Sequence, residues 1–141
     1  MLRLAALAVT SALAAAAAGP LPPLPPLGRL LATPDRLTIE LSNTGNRLVD
    51  GKFRLECRPF GGDHPKAEDA CARLDELARK GKNPFAPPKD EACSFQNGGP
   101  ATAHVTGTWR GQEVDTTFRR RNGCDISRWN NLEPVLPGEH S

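Results

Sequence analysis

The apolar positions of this chain keep two different periods. In RLTIELS, Leu37, Ile39 and Leu41 alternate with polar neighbours, the period of a strand that buries one face. NTGN follows with turn chemistry, and KFRLEC resumes the alternation with Phe53, Leu55 and Cys57 on one side. GGDHPKAEDACARLDELARKG then spaces Ala67, Ala70, Cys71, Leu74, Leu77 and Ala78 at helical intervals, which predicts a helix with one apolar stripe. Pro65 suits its first turn, Glu68 and Asp69 suit its positive start, Arg79 and Lys80 its end, and Gly81 its stop. ATAHVTGTWRGQEVDTTF predicts a hairpin: Ala103, Val105, Gly107 and Trp109 alternate up to an Arg-Gly turn, and Val114, Thr116 and Phe118 alternate after it. Trp109 and Phe118 read as core aromatics. The tail, NGCDISRWNNLEPVLPGEHS, predicts a short edge strand limited by Pro134. The sum is an α+β protein, an antiparallel sheet with one main helix.

Two stretches at the start keep neither period. Residues 1–18 join Arg3 to an alanine-rich apolar run that ends in small residues, which predicts a secretory signal peptide cleaved after Ala17 or Ala18. The run is too short for a comfortable membrane span, and with no cysteine at the cleavage site no membrane anchor is expected. Residues 19–34 are dense in proline and predict an extended, mobile leader. The ordered domain is expected over residues 35–137, with a tail at 138–141.

Between helix and hairpin, KNPFAPPKDEACSFQNGGP spans residues 82–100 without a period of its own. A connection of that length in a compact domain is commonly functional or disordered, and a cysteine within it argues for function. Phe95 stands here among small polar residues and glycines with little apolar company.

Charge excludes some functions. Without Arg3 the chain has one more basic than acidic side chain, so it has no general pull towards nucleic acid or an anionic membrane. The local exception, Arg119, Arg120 and Arg121, reads as a solvated strand end. Four cysteines, Cys57, Cys71, Cys93 and Cys124, predict two disulfides in an exported chain, with three pairings open. They lack close Cys-x-x-Cys spacing, and His64, His104 and His140 are scattered, so neither a metal nor another cofactor is expected. No serine or cysteine stands in a recognisable relation to a base and its orienting partner, which speaks against an enzyme.

Four stretches, in this order, carry a resemblance. LEC ends a strand; GDHPKAEDACARL opens a helix with His-Pro and places its cysteine fourteen residues after the first; CSF follows; then come GTWRGQEV and NGC, with Trp109 and Cys124 fifteen apart. In these motifs the chain resembles the Streptomyces subtilisin inhibitor family from about Leu37 to Cys124. The resemblance implies a five-stranded antiparallel sheet carrying two helices, a homodimer formed through the sheets, and the pairing of Cys57 with Cys71 and Cys93 with Cys124. It also implies a secreted, substrate-like inhibitor of extracellular serine proteases, mainly subtilisin-like ones. Its reactive bond would be Phe95–Gln96, in a protease-binding loop made by Ala92, Cys93, Ser94, Phe95, Gln96 and Asn97.

Besides a C-terminal tail that matches poorly and Arg120, which stands where the family tends to have an apolar residue, two features depart from the family pattern. Ser94 stands where the family commonly has proline, a residue that presets extended backbone. The stretch QNGGP has one residue more than the usual spacing to the tryptophan, and its glycines cost conformational entropy to order. Both motivate an alternative reading, a secreted disulfide-stabilised binding module of the same fold with weak or no inhibitory activity.

Overall fold

A computed structural model of the chain describes Gly19 and residues 34–89 and 92–138. The expected signal peptide, almost all of the leader, and residues 139–141 of the tail lie outside the described residues. The strands and helices all belong to one unit, Ala32–Ser141.

The two periods become a five-stranded antiparallel sheet and two helices. The strands are β1 (Asp35–Ser42), β2 (Gly51–Cys57), β3 (Gly61–Gly62), β4 (Thr102–Trp109) and β5 (Gln112–Phe118), in the spatial order β3-β2-β1-β4-β5. The register brings the alternating apolar residues into rows. Leu55, Leu37, Gly107 and Val114 line up across four strands, as do Phe53, Ile39, Val105 and Thr116, and then Leu41, Ala103 and Phe118. A slip of one residue would turn every row to solvent, so burial itself specifies the register. The opposite face is polar and laced by cross-strand pairs such as Arg36 with Glu56 and His104 with Asp115.

The first helix, α1 (Ala67–Arg79), buries Ala70, Cys71, Leu74 and Leu77 and lies over β2, to which Cys71 is joined through Cys57. It begins after Pro65, which sits just outside the first turn, and stops at Gly81 in the left-handed region. The tail corrects the expectation of an edge strand. Residues 123–130 form a second helix, α2 (Gly123–Asn130), and the fifth strand is the short β3 beside β2. The reason is local: the Asn122 side chain caps the helix by accepting from the Asp125 N–H at 2.9 Å. Trp129 then falls on the buried face, its indole donating to the Pro137 carbonyl at 2.8 Å, and Leu132, Val135 and Leu136 continue into the core. Arg73 links the two helices by donating to both the backbone and side-chain oxygens of Asn131.

His64 fastens the turn before α1 to the end of the described chain. Its Nε2 donates to the Val135 carbonyl at 2.9 Å, and its Nδ1 accepts from the Lys66 N–H at 3.0 Å. An Nδ1 that accepts carries no proton, so this geometry belongs to the neutral ring. Burial holds its pKa below the usual histidine value, opposed by the Val135 bond and by Asp63. A lowered folded-state pKa means that the unfolded chain takes up the proton first. Stability is therefore full above the ordinary value of about 6.5 and falls as pH drops through it. Urea unfolding at pH 7.5 and pH 5.0 should show a loss of stability that His64→Gln reduces. An identical pH dependence in native protein and variant would remove His64 from this role.

Candidate functional site

The register places several connections side by side. Ser42 of β1 pairs with Thr102 of β4, and Ala103 pairs with Phe118 of β5. The chain entering β4 and the chain leaving β5 thus emerge together at one end of the sheet. The first of these is the loop from α1 to β4, and the second, residues 119–122, leads into α2.

The loop departs from α1 over a buried plug, Phe85, whose N–H is held by the Asn83 side chain. Its next carbonyl, that of Ala86, accepts from Arg128 of α2 at 3.1 Å. Arg128 also donates to Thr116 Oγ1 and lies over the Phe118 ring at 4.1 Å, so the outgoing limb is bound to β5 and α2 at once. Residues 90 and 91 lie outside the described residues. From Ala92 to Gly99 the chain belongs to no helix or strand.

Phe95 is fully exposed, at 104% of its reference surface, and Ala92, Ser94, Gln96 and Asn97 are exposed around it. One exposed aromatic residue is unremarkable on a protein surface. What distinguishes Phe95 is how tightly the chain is held on either side. Before it, Cys93 is joined by a disulfide to Cys124, and the Ser94 carbonyl accepts from the Gly123 N–H at 3.0 Å. After it, the Gly98 N–H donates to the Arg120 carbonyl at 2.7 Å and the Gly98 carbonyl accepts from Arg120 Nε at 3.3 Å. Asn97 Oδ1 accepts from the Gly99 N–H at 2.9 Å, a local turn that steers the loop towards β4. Each of these ties to the body comes from residues 120–124.

Two glycines make these approaches sterically feasible. A Cβ on Gly123 would collide with Ser94 Oγ. One on Gly98 would lie 2.9 Å from Ile126 Cγ1 and 3.0 Å from Arg120 Cβ, closer than ordinary packing allows. The glycine in the longer QNGGP stretch is thus a fitted part of the contact.

Arg120 corrects the reading of the arginine run as a solvated strand end. Its neighbours Arg119 and Arg121 are exposed, but Arg120 is only 5% exposed. Its Nη1 donates to Asn130 Oδ1 at 2.8 Å and its guanidinium lies 5.5 Å from the Trp129 ring centroid. Its burial was misread from the arginine run, although its place where the family tends to have an apolar residue, and the alternation of Val114, Thr116 and Phe118 carried two residues further, both point Arg120 to the core side. The supporting roles of Asn122, Gly123 and Asn130 were missed as well; the Asn-x-x-Asp spacing at 122–125 was the available signal for the cap.

Chemically, the loop offers a peptide bond between Phe95 and Gln96 whose two sides are fixed and whose ring is free. It carries no charged side chain from Ala92 to Pro100. Among the described residues, no cluster of three or more histidine, cysteine, aspartate or glutamate side chains could hold a metal ion.

The sequence profile of the subtilisin inhibitor-like family matches residues 34–122. The chain is similar to subtilisin inhibitor-like protein 1 of Streptomyces cacaoi, 35% identical over 79 residues that cover 52% of this chain and 68% of that protein. It is similar also to protease inhibitor SIL-V2 of Streptomyces orinoci, 32% identical over 89 residues, 62% of this chain and 81% of that protein. Among solved structures, Streptomyces caespitosus sermetstatin in its complex with Bacillus licheniformis subtilisin aligns at 22% identity with a TM-score of 0.47, covering 75% of this chain and 100% of that one.

The disulfide beside Phe95 closes a span of 31 residues, for which the chain-entropy model gives about 4 kcal/mol of stabilisation. Replacing both Cys93 and Cys124 with serine should lower the unfolding free energy by roughly that amount in urea titration. It should also speed hydrogen exchange at the Gly98 amide. Unchanged values for both would mean that the hydrogen bonds hold the loop without the disulfide.

Proposed function

The chain belongs to the subtilisin inhibitor-like family, and on that premise we propose that it is a secreted inhibitor of subtilisin-like serine proteases with Phe95–Gln96 as its reactive bond. One observation carries the assignment of the bond. Phe95 is fully exposed while the residues before and after it are tied to the same stretch, residues 120–124.

A protease cleaves by adding its catalytic serine to the carbonyl carbon on one side of the bond and releasing the amine on the other. In a slack peptide the amine diffuses away, and water completes hydrolysis. Here the Phe95 carbonyl would leave on the acyl-enzyme with Cys93 and Ser94 still anchored. The new Gln96 amine would stay close, because Gly98 remains held. An intramolecular partner so placed can have an effective concentration on the order of 10⁵ M or more, so reformation of the amide outruns water. The same rigidity lowers the ordering cost of binding.

The departures from the family pattern fit this reading. Proline before the reactive residue would preset extended backbone; at Ser94 the carbonyl bond to Gly123 restrains the same segment instead. The exposed Phe95 ring suits the main specificity pocket of subtilisin-like and chymotrypsin-like enzymes, where its burial contributes about 2–3 kcal/mol. Trypsin's pocket holds a buried carboxylate and has no use for an uncharged ring. Gln96 and Asn97 would lie on the leaving-group side. Two disulfides suit an oxidising, extracellular setting. A homodimer belongs to the same reading, formed through the polar sheet face with the Thr38–Thr106 pair near its middle.

Native protein at micromolar concentration should inhibit subtilisin, and Phe95→Ala should weaken that inhibition about 30- to 150-fold. Phe95→Lys should acquire inhibition of trypsin that the native protein lacks. No inhibition of subtilisin by the native protein would favour a binding module of the same fold, and a Phe95→Lys variant with no effect on trypsin would place the reactive bond elsewhere.

A further inference from the structure

The two sides of the Phe95–Gln96 bond are held by different means. The acyl side has a covalent tie one residue from Ser94, whose own carbonyl is bonded. On the amine side Gln96 and Asn97 are exposed, and Gly98 is the first residue bonded to the body of the protein. Both of its bonds go to Arg120: one to the main-chain carbonyl, one from the guanidinium. Any residue at position 120 could supply the first. Only a long donor held in place can supply the second.

Arg120 is held in place. A buried guanidinium must have its donors satisfied, and its planar fork can serve two acceptors at once. Here the fork spans the Gly98 carbonyl on one side and Asn130 Oδ1 of α2 on the other, and lies over the buried Trp129 ring. The loop is thereby connected through one side chain to the helix that Asn122 caps. A side chain at position 98 would meet Ile126 and Arg120, so a glycine there lets the loop come this close to both.

We propose that Arg120 is the positioning residue for the leaving-group side of the loop, and that its guanidinium sets whether a cut Phe95–Gln96 bond is remade or hydrolysed. The inference rests on the reading of that bond as the reactive one. Attack by the protease serine on the Phe95 carbonyl carbon forms an ester, breaks the carbon–nitrogen bond and leaves the serine's proton on the Gln96 amine. From that ester two exits compete. The Gln96 amine can attack the carbonyl, remaking the amide and returning a proton to the serine, or one water can attack and release the Phe95 carboxylate. Arg120 acts only on the first, by keeping Gly98, and with it the Gln96 amine two residues away, next to the ester.

This role weighs more on lifetime than on binding. Arg120→Met keeps an unbranched side chain against Trp129 and the main-chain bond to Gly98 but removes the guanidinium. Losing one restraint on the loop should weaken initial inhibition of subtilisin by about threefold, while the rate at which the inhibitor is permanently hydrolysed should rise more, about tenfold. Exchange at the Gly98 amide, measured without protease, should accelerate. Asn130→Ala leaves Arg120 in the chain but removes its bond to α2, and should move hydrolysis and exchange in the same direction by less. The double variant should be no worse than Arg120→Met alone, because both act through one clamp. Should Arg120→Met fail to fold, Asn130→Ala carries the test. Folded variants as durable as the native inhibitor would overturn the role of Arg120. A native protein that does not inhibit subtilisin would instead overturn the reading of the reactive bond, and Gly98 exchange would still report whether the clamp exists.

Discussion

The proposed function depends on a short piece of chain between β5 and α2 gripping a loop from both sides of an exposed phenylalanine. The grip uses one covalent bond, main-chain hydrogen bonds at Ser94 and Gly98, and one side chain, that of Arg120. None of the hydrogen bonds is large; each contributes about 1 kcal/mol net to stability. Their importance is geometric, since they act on residues that bracket a single bond and originate from one rigid support. The support is rigid because the Asn122 cap and the buried Trp129 fix the start and the underside of α2.

The sheet makes this possible by topology. With β4 between β1 and β5, the chain entering β4 and the chain leaving β5 meet at one end, and no long crossover separates them. The core rows fix that register, so a core substitution that loosens β4 against β5 would also loosen the loop. The Cys57–Cys71 bridge secures α1 to β2 at the opposite end of the sheet, with little direct bearing on the loop. The two disulfides thus act at two places, one on the fold and one on the loop of the proposed site.

Much of this could be read from the sequence. Leu37, Ile39 and Leu41 announced a half-buried strand, and the stripe from Ala67 to Ala78 announced α1, because in both cases one periodic face meets one core. α2 was misread since its apolar residues, Ile126 and Trp129, are too few to establish a period, and Pro134 downstream suggested an edge strand. Its start depended on an asparagine cap, a single polar contact. Arg120 was hidden for a related reason. Three arginines in a row look solvated, and the burial of the middle one follows from extending the alternation of β5 beyond its last ladder pair and from its place where the family tends to be apolar. Which acceptors it reaches, Gly98 and Asn130, is tertiary information that no local pattern holds.

The account stands on a cut that the scaffold reverses, and the direct measurement is the approach to equilibrium from both sides. Intact protein and protein already cleaved after Phe95 are each incubated with a catalytic amount of subtilisin and followed by mass spectrometry. The prediction is one cut only, after Phe95, with both samples converging on the same mixture of intact and cleaved chain as the cleaved form is resealed. Cleavage at several bonds, or a cleaved form that never returns to intact protein, would contradict it.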